Sequence, residues 1–339
     1  MDTGLFEKSL FSNIDKEILS ISNSFKISDI PKYYYTIKYG FHAKINNNKL
    51  IIVKDFGSFQ SRNINTIAMI EDVLKKYSLP NTELLINTDD KLKQDIKDIP
   101  IFTMAKRKLD TYLTYPDHTF YKWKEAKTDH WDKERNSIIQ NCKKHPKKIQ
   151  KVLFRGANTH YIRDYLAKQN NHVLDIKLLN VNQKNPPFFV KLQDHCKWKY
   201  LLHIPGISYA ARLKYLMMTN SLVFYIKKNP EFEYREFWYG LLQNMYNCVI
   251  IKDNNTYNNN NKIQKVNGKW DDSANKYIMK QILDYINILQ KDDLLYTKIV
   301  NNNQILRAKF TYNIVLEYWY SLITKYSEKV QLSNKYNTN

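Results

Sequence analysis

Short apolar runs alternate along the second half of the chain with stretches that have an apolar residue every three or four positions. The runs predict strands, and the periodic stretches predict helices between them. The predicted strands are KVLFRG, VLDIKLLN, KWKYLLHIPG, SLVFYIK and NCVIIKD. The predicted helices are THYIRDYLAKQN, YAARLKYLMMTN and EFEYREFWYGLLQ, with more helices after the Asn-rich stretch NNTYNNNNKIQ, up to about Lys329. This alternation is typical of a doubly wound α/β sheet.

The first half of the chain also predicts mixed α/β structure. Its predicted strands are YYYTIKYG, FHAKINNN, KLIIVKDF, TELLINTDD and IPIFTMAKR. NTIAMIEDVLKKYSLPN predicts a helix, because it starts at Asn, has apolar spacing of three to four and stops at Pro-Asn. Strands that alternate with a helix favour parallel pairing here too. The Lys-rich NCKKHPKKIQK is expected to link two domains, residues 1–145 and 146–330.

Composition fits two globular domains. The chain has 339 residues, which is long for one domain, and 43% of them are hydrophobic, which is enough to build packed cores. Its few glycines and prolines argue against a fibrous or disordered chain.

A net charge of +20 favours a partner that carries phosphate groups. With 26 tyrosines that could stack on bases, it also keeps open a protein that binds single-stranded nucleic acid. The lysines are scattered, however, and the Asn, Ile and Tyr content indicates AT-rich coding. We therefore expect no nucleic-acid partner.

The cysteines and the N-terminus predict a cytoplasmic protein. Cys142, Cys196 and Cys248 are too few and too far apart for a disulfide framework or a zinc site. The start MDTGLFEKSLFSNIDKEI lacks the basic beginning and apolar centre of a signal peptide. No apolar run approaches the roughly 20 residues that a membrane span needs.

Two arginines at predicted strand ends are candidates for binding phosphate. Gly206 ends an apolar run, and the next predicted helix begins with the small residues Ala210 and Ala211, followed by Arg212. Unpaired N–H groups at a helix start and a guanidinium beside them together suit a diphosphate. Arg155 stands at the end of another predicted strand, before a glycine that would allow a sharp turn. For Arg212 the alternative is a salt bridge to a neighbouring helix.

Carboxylates supply further candidates. Asp194 and His195 could bind a metal, but no third ligand has suitable spacing, so an ion pair with a nearby lysine is the stronger interpretation. Asp110 and Asp117 stand on either side of Tyr115-Pro116, where a fixed carboxylate could take a proton from an attacking hydroxyl. Taken by itself, an aspartate at such a position is more often a cap or turn residue. Neither an Asp-x-Asp motif nor a P-loop occurs in the sequence.

The motifs, taken in order, resemble a known family. FRGANTHYIRD, LQDHCKWKYLLHIPG, YAARLKYL, NSLVF and EFWYGLL are similar to the core of glycosyltransferase family 90. This family includes Rumi-type protein O-glucosyltransferases, capsule-associated xylosyltransferases and lipopolysaccharide-modifying glycosyltransferases. The similarity covers about Ile101 to Ile251, and Asp194 to Tyr200 is its most specific part.

The resemblance implies a GT-B fold, in which two Rossmann-like domains face each other, with C-terminal helices. It also implies that a UDP-sugar, of glucose or xylose, binds mainly to the C-terminal domain, and that a glycan or protein acceptor enters from the N-terminal side. The donor-binding positions that it implies are Arg155, Gly156, Arg163, Asp194, Lys199, Gly206, Ser208, Ala210, Ala211 and Arg212.

The implied reaction is inverting transfer without an obligatory metal or another cofactor. A carboxylate would deprotonate the acceptor hydroxyl, and arginines would stabilise the leaving diphosphate. The position of the base departs from the family pattern, because Tyr112 stands where the glucosyltransferases have an aspartate. Asp117 matches an aspartate in plant members and is preferred over Asp110. A member that binds glycans without catalysis stays open for this reason.

The two ends of the chain resemble bacterial or large-virus members of the family more than animal ones. The chain begins MDTGLF and ends NKYNTN, without the secretion signal and retention tail of the animal proteins. The resemblance therefore agrees with the cytoplasmic prediction.

Overall fold

The structure is a computed structural model, and it describes residues 3–97, 99–180, 182–183, 186–257 and 272–336. The helices are α1 (Thr3–Leu19), α2 (Arg62–Lys76), α3 (Trp131–Lys143), α4 (Tyr161–Ala167), α5 (Leu213–Met217), α6 (Ser273–Lys291), α7 (Asp293–Asn301), α8 (Gln304–Lys309) and α9 (Tyr312–Tyr336). The strands are β1 (Gly40–Asn46), β2 (Lys49–Asp55), β3 (Thr82–Asn87), β4 (Ile101–Thr103), β5 (Leu113–Thr114), β6 (Ile149–Gly156), β7 (Leu174–Leu178), β8 (Trp198–His203), β9 (Leu222–Lys227) and β10 (Val249–Lys252). Short 3-10 helices cover Ile27–Thr36, His118–Phe120, Lys124–Ala126, Leu192–Lys197 and Tyr239–Leu241.

The chain divides into two compact units. The described residues of Asp132–Glu233 and Leu242–Ala308 form one, which we call the parallel-sheet unit. The described residues of Asp2–Trp131, Tyr234–Leu241 and Lys309–Asn339 form the other, which we call the mixed-sheet unit.

The division differs from the predicted domains in two places. It falls between Trp131 and Asp132, before the predicted linker, and α9 belongs with the N-terminal part of the chain. In the mixed-sheet unit α9 packs on α1 and α2. Its Trp319 ring also lies 4.8 Å from the ring of Tyr115 and 6.4 Å from that of Phe102, on the sheet. Aromatic packing of this kind is visible only after folding.

The parallel-sheet unit contains, among its described residues, a five-stranded sheet in the order β10-β9-β8-β6-β7. All neighbouring strands pair in parallel, which confirms the doubly wound pattern predicted for this part of the chain. After β6 the chain passes first to β7 on one side and then to β8 on the other. The strand order therefore reverses between β6 and β8, and sheets of this type bind ligands at such a reversal, outside the carboxyl ends of the strands.

The core of this unit follows from the strand period of two. Alternate residues of the strands, such as Val152 and Phe154 on β6, point to one face and are buried there. The helix α6 covers this face with residues that recur every three or four positions. Those residues are Ile278, Ile282, Ile286 and Leu289.

The mixed-sheet unit contains, in the described ranges, a five-stranded sheet in the order β2-β1-β3-β4-β5. The prediction of parallel pairing is right for β3, β4 and β5 and wrong for β1, which is antiparallel to both β2 and β3. Asn47 and Asn48 join β1 to β2 with φ angles of 48° and 57°. Two residues with positive φ make the tight turn of a hairpin, which asparagine tolerates well.

Several predicted elements differ from the observed ones. YYYTIKYG lies largely in a 3-10 helix, and EFEYREFWYGLLQ is mostly irregular. In the second segment Arg235 forms a β-bridge with Lys106, and Phe237 and Trp238 are buried in the mixed-sheet unit. Tertiary packing therefore overrides the helical spacing. The predicted helix YAARLKYLMMTN contains a helix only over Leu213–Met217.

The pattern analysis did not predict α1 or α3, and α3 covers the start of the predicted linker. Most of the Asn-rich stretch lies outside the described residues. Cys142, Cys196 and Cys248 are free and buried. Among the described helices, none combines the length and the apolarity that crossing a membrane requires.

Candidate functional site

The reversal between β6 and β8 brings several predicted donor-binding residues together. Arg155 and Gly156 end β6, and His203 ends β8. The segments that leave these two strands carry Arg163, on α4, and Arg212, directly before α5. The parallel strands thus place at one edge of the sheet residues that are up to 57 positions apart in the chain.

Arg163 and Arg212 bind backbone oxygens at this edge. The guanidinium of Arg163 donates to the carbonyl oxygens of Ala157 and Ile204, each at 2.8 Å. The guanidinium of Arg212 donates to the carbonyl oxygen of Arg155. Both groups lie over the ring of Phe154, 5.3 Å away for Arg163 and 4.7 Å for Arg212. The two cations therefore share one aromatic ring, and they are close enough for Arg212 to lower the pKa of Arg163.

Neither of these two guanidinium groups forms an ion pair with a carboxylate in the part of the chain that the structure describes. Arg163 is buried and Arg212 is partly exposed. Burial lowers the pKa of Arg212 to about 10, and burial together with Arg212 lowers the pKa of Arg163. Arginine stays protonated at neutral pH, so the edge holds two adjacent positive charges that attract an anion.

The glycines at this edge make room for the arginines. A Cβ atom on Gly156 would overlap the Arg212 guanidinium. A Cβ atom on Gly206 would lie 3.5 Å from Nη2 of Arg163 and 3.2 Å from the carbonyl oxygen of Tyr209. Gly156 has no positive φ, so it does not serve the sharp turn that the sequence suggested. Because Gly156 has no Cβ atom, the Arg212 guanidinium can approach the backbone of β6 closely.

The Arg155 side chain is held by an ion pair and by backbone carbonyls. Its guanidinium forms a 2.7 Å ion pair with Asp175 and also donates to the carbonyl oxygens of Phe154, Asp175 and Phe188. These contacts give the side chain a structural role, which ties β6 to β7 and to the segment that precedes β8. The donor-binding role of Arg155 stays a prediction.

The other predicted donor-binding residues lie in different surroundings. Asp194 forms the ion pair expected for it, with Lys197 at 3.0 Å. Lys199 lies 3.4 Å from Asp293 and, on β8, about 13 Å of strand before His203, at roughly 3.3 Å per residue. It is therefore not part of the arginine edge.

Ser208, Ala210 and Ala211 precede α5 and are not helical. The helix α5 has five residues, which is too short for the dipole effect expected at this place. The arginine side chains, and not a helix start, thus supply the positive charge. The roles predicted for these three residues stay predictions.

Two histidines at the same edge escaped the sequence analysis. His203 is fully buried, and neither of its ring nitrogens has a hydrogen-bond partner in the described structure. The Nδ1 atom of His160 accepts the backbone N–H of Ile162, while its Nε2 atom is buried without a partner. Single histidines carry little signal in a sequence, although both of these lie inside the quoted motifs.

The two predicted bases in the mixed-sheet unit are held by structural contacts. Asp110, before β5, accepts hydrogen bonds from the side chain and the backbone N–H of Arg107. Asp117 is fully buried, and its Oδ1 atom accepts from the backbone N–H and the hydroxyl of Thr119, so it caps a 3-10 helix. Both contacts match the cap or turn alternative for these residues.

A second pair of carboxylates stands at the carboxyl edge of this sheet. Asp89 and Asp90 follow β3 directly, and the guanidinium of Arg62 lies 3.8 Å from Asp89 and 3.1 Å from Asp90. The side chain of Asp90 is 37% exposed, unlike that of Asp117. The sequence analysis placed this pair at the end of a predicted strand but drew no function from it. Polar residues after a parallel strand were the signal that could have found it.

The described residues contain no group of three or more His, Cys, Asp and Glu side chains arranged to hold a metal ion. A cavity of about 1100 Å³ lies beyond the carboxyl ends of β9 and β10, and its lining includes Lys228, Phe232 and Tyr257. The ring of Tyr257 lies 5.9 Å from that of His160. The cavity therefore lies beside the arginine edge, and its volume is large enough for a nucleotide-sized ligand.

Comparison with known proteins agrees with this geometry. The family model described as "Glycosyl transferase family 90" matches residues 11–339. The chain is 26% identical to human protein O-glucosyltransferase 1 over 316 residues, which cover 86% of this chain and 73% of the human protein. It is 28% identical to the mouse protein of that name, with 82% and 77% covered, and 28% identical to Drosophila melanogaster O-glucosyltransferase rumi, with 52% and 48% covered. With nearly its whole length matched, the chain belongs to glycosyl transferase family 90 and is a glycosyltransferase.

Proposed function

We propose that the chain transfers glucose from UDP-glucose to a hydroxyl group of a protein or glycan acceptor. The pair of Arg163 and Arg212 carries this proposal, because two guanidinium groups that have no carboxylate partner among the described residues suit the diphosphate of a nucleotide sugar. Glucose is favoured over xylose because the similar proteins are named O-glucosyltransferases. Their names also support a protein acceptor.

The arginines have a chemical task beyond binding. When the bond between the anomeric carbon and the diphosphate breaks, negative charge grows on the leaving phosphate oxygen. Guanidinium groups that are already fixed by backbone carbonyls stabilise this charge without reorganising. They would supply the stabilisation that a metal ion gives in other transferases, so we propose transfer without a metal.

We place the general base at Asp90. A base must reach the acceptor hydroxyl, and the Asp90 carboxylate is partly exposed at a strand end, whereas Asp117 is fully buried and Asp110 is held by Arg107. The deprotonated hydroxyl would attack the anomeric carbon from the side opposite the diphosphate, which inverts its configuration. A GT-B fold is part of this proposal.

A thermal-shift assay with UDP, UDP-glucose, UDP-xylose and GDP-glucose tests the donor. Binding to the folded state stabilises a protein by RT ln(1 + [L]/Kd), so a ligand at about 100 times its Kd adds about 2.7 kcal/mol, which raises the melting temperature by several degrees. We expect this rise with UDP and UDP-glucose, and its loss in Arg212→Ala. If none of the UDP compounds changes the melt, the donor assignment is wrong.

The matched control is Arg135→Ala. Arg135 lies on α3, and its guanidinium donates to the carbonyl oxygen of Arg307, away from the arginine edge. This variant should keep the ligand-induced rise. A rise in wild type without hydrolysis of UDP-glucose and without transfer would identify a family member that binds the donor but does not catalyse.

A further inference from the structure

His203 ends β8 at the arginine edge. It is the last residue of β8, the strand next to β6 at the reversal of strand order, and it pairs in register with Tyr225 of β9. The two rings are 5.5 Å apart. The imidazole is fully buried. Its backbone position therefore lies where a sheet of this type binds its ligand.

Both ring nitrogens of His203 lack a hydrogen-bond partner among the described residues. A neutral imidazole has one N–H donor and one acceptor nitrogen, so two polar atoms are left unsatisfied in one side chain. Burying such atoms costs stability, and nearly all buried polar groups in proteins are paired. An orphaned side chain in a ligand-binding edge indicates a partner that arrives with the ligand.

The groups that face His203 are cations and one phenol. Burial lowers the pKa of His203 well below its ordinary value, and the guanidinium groups of Arg212 and Arg163 lower it further. Tyr225 faces it from β9, and the hydroxyl of Tyr225 donates to Glu233. The imidazole is therefore neutral at neutral pH when the edge holds no anion. An anion placed among the three groups would reverse the effect of the two arginines.

The three groups differ in exposure. Arg212 is partly exposed, Arg163 is 3% exposed and His203 is fully buried. Both guanidinium groups act electrostatically on the imidazole, so a diphosphate that contacted both arginines would also act on His203.

We propose that His203 is a donor-binding residue that hydrogen-bonds the diphosphate as a protonated imidazolium, so that the site takes up one proton when it binds its donor. This inference rests on the proposed function, because it assigns a third cation to the same diphosphate. In the complex the imidazolium would also stabilise the charge of the leaving group, beside the two arginines.

Calorimetric titration with UDP-glucose tests the proposal. Neither phosphate of UDP-glucose is terminal, so the ligand lacks the ionisation near pH 6 that a terminal phosphate has. The heat of binding is measured at pH 7 in buffers that differ in their heat of ionisation, which gives the number of protons taken up. We expect uptake approaching one proton, and an affinity that weakens by up to tenfold per pH unit between pH 6 and 8.

The variants assign the proton to a residue. His203→Gln keeps a donor and an acceptor but cannot be protonated, so it should bind more weakly at pH 6, with an affinity that no longer depends on pH. If this variant does not fold, His203→Phe fills the same space without polar atoms and should also abolish proton uptake. The exposed His172 provides the matched control, since His172→Gln should keep the proton uptake of wild type.

Two results would overturn the proposal while leaving the donor assignment intact. One is UDP-glucose binding to wild type without proton uptake. The other is proton uptake that persists in His203→Gln but is lost in His160→Gln, which would assign the proton to the neighbouring histidine. If UDP-glucose does not bind to wild type at all, the proposed function itself fails.

Discussion

The carboxyl edges of the two sheets carry opposite chemistry. In the parallel-sheet unit the edge holds Arg163 and Arg212, neither of which is paired with a carboxylate among the described residues. In the mixed-sheet unit the corresponding edge holds Asp89 and Asp90, which face the guanidinium of Arg62. Both edges collect polar residues after parallel strands. They differ in whether the charge is already neutralised.

This difference separates two kinds of function. Adjacent cations without counter-ions repel each other and destabilise the fold, and a bound anion offsets this cost. The first edge therefore suits a ligand that carries phosphate. A carboxylate that is oriented by an arginine and partly open to solvent suits proton transfer. The comparison therefore supports our proposal of donor binding at the arginine edge and base catalysis at the aspartate edge.

The largest effect is expected from Arg163→Ala, compared with Arg155→Ala. Arg163 has no carboxylate partner among the described residues, so its loss should reduce donor affinity at least 100-fold. Arg155 is paired with Asp175, so its loss should lower the free energy of unfolding by roughly 3 kcal/mol. Donor titration and chemical denaturation of both variants measure the two effects. Loss of affinity without loss of stability in Arg155→Ala would place Arg155 in the donor site.

In the mixed-sheet unit, asparagine variants of three aspartates distinguish a catalytic role from a structural one. Asp90→Asn should reduce transfer about 100-fold or more while leaving donor binding unchanged, because an amide cannot accept the hydroxyl proton. Asp117→Asn should keep most of the activity, because asparagine caps a helix nearly as well as aspartate. Asp110→Asn should mainly weaken the contact with Arg107. Transfer rates measured at a saturating donor concentration distinguish the three variants. Normal transfer by Asp90→Asn and its loss in Asp117→Asn would move the base to Asp117.

The smallest effect is expected from Gly156→Ala. The added Cβ atom would overlap the Arg212 guanidinium, which is the flexible end of a side chain and can move away. We expect about a tenfold loss of donor affinity, roughly 1.4 kcal/mol, with little change in melting temperature. Gly240→Ala is the matched control, since its new Cβ atom would lie 3.8 Å from the nearest neighbours. Unchanged donor affinity in Gly156→Ala would show that Arg212 does not need this position.

Strands and helices that follow from the spacing of apolar residues could be predicted from the sequence. The apolar residues predicted several elements correctly by their spacing or by forming continuous runs. The structure confirms the strands β6, β8 and β9 and the helix α2. The mixed-sheet unit was less predictable, because the Asn47-Asn48 hairpin reverses the chain within two residues. The segment that contains Trp238 has helical spacing, but the burial of its aromatic rings fixes another conformation.

The sequence by itself determined the doubly wound sheet, the order of its motifs and the arginines near its strand ends, because apolar periodicity and chain order are local properties. Only the tertiary structure decided which of those arginines is free to meet an anion. Arg155 and Arg163 look alike in the sequence, yet Arg155 pairs with Asp175 of the neighbouring strand, whereas the hydrogen bonds of Arg163 within the described residues go to carbonyl oxygens. An arginine's counter-ion lies on another element, so pairing is a property of the folded chain.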